Sequence, residues 1–368
     1  MVWLIVDGVL LISGVLYFFL IVLFYLLQKN ASRHAARQAF AESPPRVSII
    51  ISVRNEASRI RNCLSSLEKL SYPKQKFEII FVDDGSTDDT AEIISRYTSK
   101  KQNWRILRFS KPENSTGPMP AIMHGIRHSR YEFILRTDAD CRVGENWIQS
   151  IVSRFDERTA MVIGFCNLKV GAGLVQAFLS FDNLVSGVLN SSFARMGYPI
   201  ACSGGNMAFR KSAVNNLITS GSFLDPAPGE DTRLAQLFHH SKVGKVKYCL
   251  CSNSVVDTDS MRNGKPIFDR MVRIHSQTFT MNFEQVLLRL VFLLGYFSPF
   301  YFLAKGAATA ILSVIILRYF IEFLFLQSDA VVLNRRYNVL PDLVYQMLYP
   351  FYLIFFAFLG ALFPVKWK

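Results

Sequence analysis

The stretch Phe77-Glu-Ile-Ile-Phe-Val-Asp-Asp-Gly-Ser-Thr-Asp-Asp89 decides the architecture of this 368-residue chain. Its front, 77–82, is a short apolar run that suits a strand buried on both faces. The run ends in a cluster of acidic and small residues, and Ser86–Asp89 carries a helix start signal. The same unit recurs on either side. Upstream, Val47–Val53 is a continuous β-branched strand run, followed by helical spacing through Ile60, Cys63, Leu64 and Leu67 within 56–70. Downstream, Arg105–Phe109 reads as a third strand, 120–128 as a helix, and Tyr131–Arg136 as a fourth strand ending in Thr137-Asp-Ala-Asp140. Alternating strands and helices of these lengths predict an α/β fold with a parallel sheet covered by helices. Ligands of such sheets bind beyond the carboxyl ends of the strands. Both acidic clusters fall there.

Outside this core the composition changes. The whole chain is 51% hydrophobic and only 19% charged, against roughly 25% charged for typical domains. That excludes a disordered chain, which is poor in apolar and aromatic residues. The apolar excess lies in 3–27 and in about 285–364, and the part between reads as an ordinary α/β protein. Of the net charge of +13, residues 46–283 hold 31 Lys+Arg against 22 Asp+Glu, and the flanks hold 10 against 6. No basic run carries interleaved aromatics, so a nucleic-acid partner is not expected. The six cysteines are scattered without a CxxC pair and read as buried or half-buried thiols in a reducing compartment. A zinc site would need closer clustering with histidine.

Residues 3–27 are long enough to span about 30 Å of hydrocarbon as a helix. Lys29, Arg33 and Arg37 follow at once, which predicts that the chain after residue 28 faces the cytoplasm. Asp7, near the outer end, needs only headgroup contact. Three further candidate spans follow, about 286–304, 306–326 and 343–363. The second contains Arg318 and Glu322, four apart and so able to pair on one helix face. Charges within a span face protein or a polar cavity, so this pair is an internal ion pair, a mark of an interfacial, non-spanning helix, or part of a lipid-phosphate or sugar path. Arg335 and Arg336 favour a cytoplasmic loop before the last span.

The carboxylates carry the chemistry. Asp138 and Asp140, two apart in chain expected to be extended, would point to one side and make a hard-cation site for Mg²⁺ or Mn²⁺ shared with a substrate phosphate. Asp83 and Asp84 either belong to the helix N-terminal region or accept hydrogen bonds from a nucleobase or ribose. Asp231, in Gly229-Glu-Asp-Thr232, either charges a helix start or acts as a general base toward an acceptor hydroxyl. Arg270 and Arg273 share a helix face, either as a juxtamembrane basic patch or as a clamp for a diphosphate. Cys202-Ser-Gly-Gly-Asn206 lacks the Lys and spacing of a P-loop and reads as a tight turn with close approach to an acceptor.

Taken together, Ser48–Glu56, Val82-Asp-Asp-Gly-Ser-Thr-Asp88, Thr137-Asp-Ala-Asp140, Ser203-Gly-Gly-Asn206 and Gly229-Glu-Asp231 stand in the order seen in family 2 glycosyltransferases. The chain resembles the membrane-bound bacterial members, relatives of cellulose, chitin and hyaluronan synthases. The resemblance implies a GT-A nucleotide-binding sheet over 46–283, between an N-terminal transmembrane helix at 1–28 with a basic linker at 29–45 and a C-terminal membrane region at 284–368 with two or three transmembrane or interfacial helices. It implies inverting transfer from a UDP- or GDP-sugar to a lipid, lipid-linked saccharide or other membrane-associated acceptor, at the cytoplasmic face of a bacterial inner membrane. By motif position, Asp83, Asp84, Asp138, Arg270 and Arg273 would bind the donor, and Asp138 and Asp140 the metal. Asp231 would be the base, with Gly204, Gly205, Asn206 and Glu230 on the acceptor side. Two positions depart from the family pattern. Ile274 stands where relatives carry Trp, which removes an aromatic platform for an acceptor sugar. Gly117-Pro-Met-Pro-Ala121 lacks the Lys that relatives carry, so one phosphate contact is either lost or supplied by Arg136 or Lys111. The alternatives are a short processive synthase and an inactive membrane scaffold of the same fold.

Overall fold

Among the described residues, ten strands are laid down in chain order: β1 (Val47–Val53), β2 (Phe77–Asp83), β3 (Trp104–Arg108), β4 (Phe133–Arg136), β5 (Cys141–Val143), β6 (Thr159–Gly164), β7 (Cys166–Lys169), β8 (Met207–Arg210), β9 (Lys245–Cys249) and β10 (Val256–Asp259). The computed structural model describes residues 2–35, 43–110, 117–219, 230–259, 264–276, 283–306, 308–332 and 339–362. Seven strands form one sheet in the order β3-β2-β1-β4-β8-β6-β9, and β5-β10-β7 form a small second sheet. The two carboxylate clusters follow β2 and β4, the strands on either side of β1, where the order of the sheet reverses. That switch point is where ligands of open α/β sheets bind.

The large sheet is buried on both faces, as the unbroken apolar runs require. Val47, Ile49, Ile51 and Val53 of β1 pack on one side with Ile60, Leu64, Ile94 and Trp147. Ile50, between them, packs on the other with Ile122, Val214, Leu234 and Phe238. This is the period-two alternation of a strand read out on both faces. The expected strands and helices are all present, with ends shifted by a few residues. The helices are Ile60–Glu68, Thr90–Thr98, Met119–His128 and Glu230–His240.

The sheet is mostly parallel, but β8 runs antiparallel to both β4 and β6, with Arg136 opposite Met207. This reversal builds the site. Antiparallel pairing places the residues that precede β8 beside those that follow β4, so the Gly-rich turn 203–206 meets the Asp138–Asp140 segment.

The chain divides into two compact units. One is the sheet domain. The other gathers long helices, Val2–Ala35, Phe283–Ala304, Ala308–Val332 and Val339–Leu362, with the first half of helix Leu174–Arg195 and the helix Gly264–Ser276. Among the described residues, Trp3–Lys29, Val286–Ala304 and Leu340–Leu362 are long and apolar enough to cross a membrane. The helix Ala308–Val332 carries the expected pair: Arg318 Nε donates to Glu322 Oε1 at 2.7 Å, and both side chains are buried. Tyr17 and Gln346 also donate to Glu322, and Arg318 donates to the Tyr296 carbonyl at 2.7 Å. The pair is therefore an internal ion pair that ties four helices together. Gly295 packs against helix Val2–Ala35, where a Cβ would come within 2.6 Å of the Ser13 carbonyl oxygen. Such close backbone approach is how apolar helices associate without a hydrophobic drive. Asp7 is bonded within this unit too, accepting from Tyr301 at 2.9 Å and pairing with Lys305 at 2.6 Å.

Candidate active site

The turn after β2 is held by its own side chains. Asp83 Oδ1 accepts from the Ser86 amide at 3.0 Å, and Asp88 accepts from the Thr90 and Ala57 amides at 3.0 and 3.1 Å. Asn55, at φ 56°, receives the Thr87 amide at 2.8 Å and donates its own to Ser86 Oγ at 3.1 Å. Asp83 and Asp88 thus shape the turn, and Asp84 is set beside them, buried at its mouth. Asp88 does the work expected of a helix start, satisfying an otherwise orphaned N–H.

After β4 the chain does not stay extended. The Cys141 amide bonds back to the Asp138 carbonyl at 3.1 Å, closing a turn over 138–141. This corrects the expectation that an extended chain places the two carboxylates on one side. Here the turn brings them close enough for the Asp140 charge to act on Asp138. Asp138 is 46% exposed and Asp140 32%. Arg59 lies 3.8 Å from Asp140. Burial of its inner side, then the charges of Asp231 and Asp140, push Asp138 up to about 6, against the pull of Arg136. The 46% of the side chain that meets solvent tempers that push. Glu56 is raised as well, by burial and then by Asp140. Its backbone N–H donates to Thr90 Oγ1 at 2.8 Å. It completes an acidic rim whose chemistry the sequence reading passed over, although Glu56 closes the first motif.

Asp231 stands in the first turn of helix Glu230–His240 but does not cap that helix. Its Oδ2 accepts from the Gly204 amide at 2.9 Å, its Oδ1 is bonded by Arg136, and its carbonyl accepts from Cys202 Sγ at 2.8 Å. The two glycines make this closeness possible. A Cβ on Gly204 would lie 2.7 Å from Arg136 Nη2 and 2.8 Å from Asp231 Cγ. One on Gly205 would lie 3.2 Å from Asp138 Oδ2. The glycine turn is the spacer between the base candidate and the metal-ligand candidate.

Asn206 is fully buried, and its amide is engaged by Trp147 Nε1 (2.9 Å), the Phe165 carbonyl (2.9 Å) and the Ser254 carbonyl (2.7 Å). It fixes the turn from beneath. Cys141, Cys166 and Cys202 lie under the same turn, and burial raises all three thiols, so they stay protonated and packed. Glu230 opens the helix, but its side chain and Gly229 lie outside the described residues. Lys111 lies outside them as well. Arg270 and Arg273 belong to the helical unit, on Gly264–Ser276, where Arg270 is half-buried and feels the charge of Asp182. The Arg273 side chain is not among the described ones.

A divalent cation fits the donor set. Asp138 and Asp140 offer hard oxygens at an open edge, although no group of three or more His, Cys, Asp or Glu among the described residues forms a ready cage. Magnesium-type sites use one or two carboxylates and complete their shell with water and substrate phosphates. When bound, such an ion supplies a positive charge that stabilises a departing diphosphate.

The family model for glycosyl transferase family 2 matches residues 48–217, the segment that contains β1, β2, β4 and the glycine turn. Residues 48–217 are a glycosyl transferase family 2 segment. Among curated relatives, the glycosyltransferase AglE of Haloferax volcanii is 33% identical over 120 residues, covering 33% of this chain and 38% of that protein. The poly-β-1,6-N-acetyl-D-glucosamine synthase of Staphylococcus epidermidis is 30% identical over 135 residues, covering 37% of this chain and 30% of that protein. The chain thus spans less than half the length of these relatives. Among solved structures, the mannosyltransferase PcManGT of Pyrobaculum calidifontis, in complex with GDP-Man and Mn²⁺, superposes with a TM-score of 0.58 at 16% identity, covering 98% of this chain and 100% of that one. The fold is thus the GT-A type that the sequence motifs imply, with long apolar helices at both ends of the chain.

Proposed function

We propose that the protein is a metal-dependent, inverting glycosyltransferase that moves a sugar from a UDP- or GDP-sugar to a lipid, lipid-linked saccharide or other membrane-associated acceptor. The observation that carries this reading is the convergence of Asp138 and Asp231 on one glycine turn, with Asp140 acting on Asp138 from the adjoining turn, beside the sheet's switch point. An inverting displacement needs a base on one face of the sugar and a stabilised leaving group on the other. Asp231 supplies the first. Asp138 and Asp140 would hold the ion that supplies the second, and Asp84 would contact the nucleoside. The GDP-Man and Mn²⁺ bound by PcManGT support a nucleotide sugar and a divalent ion as the reactants' chemistry. The three helices that, among the described residues, are long and apolar enough to cross a membrane support a membrane-associated acceptor. We place the sheet domain on the cytoplasmic side, because Lys29, Arg33 and Arg37 follow the first apolar run, 3–27.

A processive synthase is a second reading, favoured by the poly-N-acetylglucosamine synthase among the relatives. Ile274, 43% exposed where relatives carry Trp, weighs toward single transfer. The test is nucleotide release from a panel of UDP- and GDP-sugars with Mn²⁺ or Mg²⁺, using membranes that hold the folded full chain. We expect turnover with one donor class, abolished by Asp140→Asn without loss of folded protein. No turnover with any donor, or wild-type rates in D140N, would overturn the reading.

A further inference from the structure

Arg136 is the last residue of β4, and only 4% of its side chain meets solvent. Burying a guanidinium costs several kcal/mol unless it is paired and hydrogen-bonded. Met119, Ile122, Met207 and Leu234 line the pocket beside it. The charge is met by carboxylates from two directions. Nη1 bonds Asp231 Oδ1, and Nη2 lies 3.6 Å from Asp138 Oδ1. A guanidinium carries five donors in a fixed planar fork, so one side chain can orient two carboxylates at once.

The consequence for Asp231 is specific. Arg136 holds one oxygen from the strand side, and the Gly204 N–H holds the other at 2.9 Å from the turn side. The plane of the carboxylate is fixed by two bonds from different elements. Each oxygen keeps a lone pair, because an ionised carboxyl has about four acceptor sites. A base held this way reaches a hydroxyl without losing orientational freedom at the moment of reaction. Arg136 is also ill-placed for the phosphate contact that the missing Lys left open, since its fork is turned onto these two carboxylates.

We propose that Arg136 is the positioning residue for Asp231. It orients the carboxylate that activates the acceptor and acts on turnover rather than on donor binding. This inference rests on the glycosyltransferase reading above.

The test uses the full chain in detergent, with Arg136→Met and Arg136→Lys. We expect R136M to lower kcat by about 100-fold, the scale of a mispositioned general base, while donor KM stays within about threefold. Millimolar guanidinium should restore part of that rate, and R136K should fall between wild type and R136M. An unchanged kcat, a loss confined to donor KM, or a loss with neither rescue nor an intermediate R136K would overturn the inference. If R136M does not yield folded protein, R136K carries the same kinetic reading. A second arm needs no turnover. Carbodiimide with an amine nucleophile, followed by peptide mass mapping, should label Asp231 more strongly in R136M or R136K than in wild type, and equal labelling would overturn the inference. A wild type that turns over no donor overturns the activity reading, and the labelling arm then decides on Arg136 alone.

Discussion

Two buried arginine–carboxylate pairs stand in the two halves of this molecule, and they are built to different ends. In the helical unit, Arg318 and Glu322 are 3% and 7% exposed and are closed on all sides. Tyr17 and Gln346 bond the carboxylate, and the guanidinium lies 3.9 Å from the Tyr296 ring centroid, a cation–π contact. In the sheet domain, Arg136 is just as buried, but its partner Asp231 is 26% exposed and the neighbouring Asp138 46%. There the arginine is sealed and the carboxylates are left half open. A pair that closes on itself holds helices together. A pair whose acid faces outward has an oxygen left for a ligand.

The sharpest way to break this comparison is to neutralise the open acid. Asp231→Asn keeps the shape and one acceptor oxygen, enough for Gly204 or Arg136 but not both, and it cannot take a proton. Nucleotide release should fall by roughly 10²–10⁴-fold, the range for loss of a general base, while the protein stays folded at some cost in midpoint, because Asp138 remains 3.6 Å from Arg136 as a counter-ion. A variant that unfolds instead would make Asp231 a structural partner of the same kind as Glu322.

The closed pair should answer in the opposite way. Glu322→Leu leaves Arg318 buried without its counter-ion, which costs about 3–5 kcal/mol. A marked fall in thermal stability in detergent is expected, with activity per folded molecule retained. The double change Arg318→Met with Glu322→Leu removes both charges and should recover most of that stability. If the double variant instead loses activity while staying folded, the pair has a part in the reaction and the contrast fails.

The sequence disclosed the first half of the sheet domain and little of the second, for a physical reason. Strands β1, β2 and β4 lie in largely apolar runs bounded by polar turns, so their pattern is a local signal. β5, β7, β8 and β10 are three or four residues long and owe their place to partners far along the chain. The reversal of β8 is invisible in composition, yet it brings Gly204 and Gly205 to the carboxylates. The acidic residues themselves were legible from chemistry and position. What they touch was not. Asp231 lies 95 residues from Arg136 in the chain, and nothing local marks them as a pair. The one available hint was an arginine ending the apolar run Phe133-Ile-Leu-Arg136, where a charge needs a reason. Arg318 and Glu322, four apart on one helix, were legible as a pair because their separation is local.

The smallest effect expected follows from the open side of the same comparison. Asp138 is pushed up to about 6 by burial and by its neighbours' charges, whereas an unfolded aspartate titrates near ~3.9. The native carboxyl therefore binds its proton more tightly than the unfolded chain does. The stabilising contribution of that proton is complete below about pH 4 and is lost as pH rises through about 6. Metal binding runs the other way, because Mn²⁺ takes the ionised form and competes with the proton. Mn²⁺ affinity, followed by electron paramagnetic resonance on the donor-free protein, should be level above about pH 7 and fall by up to tenfold per unit below about 6. In metal-free protein, Asp138→Asn should raise the unfolding midpoint at pH 7.5 and leave it nearly unchanged at pH 4, since the charge it removes is present only at the higher pH. A midpoint shift of the same size at both values would mean that packing, not charge, governs this side chain. The open carboxylate would then differ from the closed pair in exposure alone.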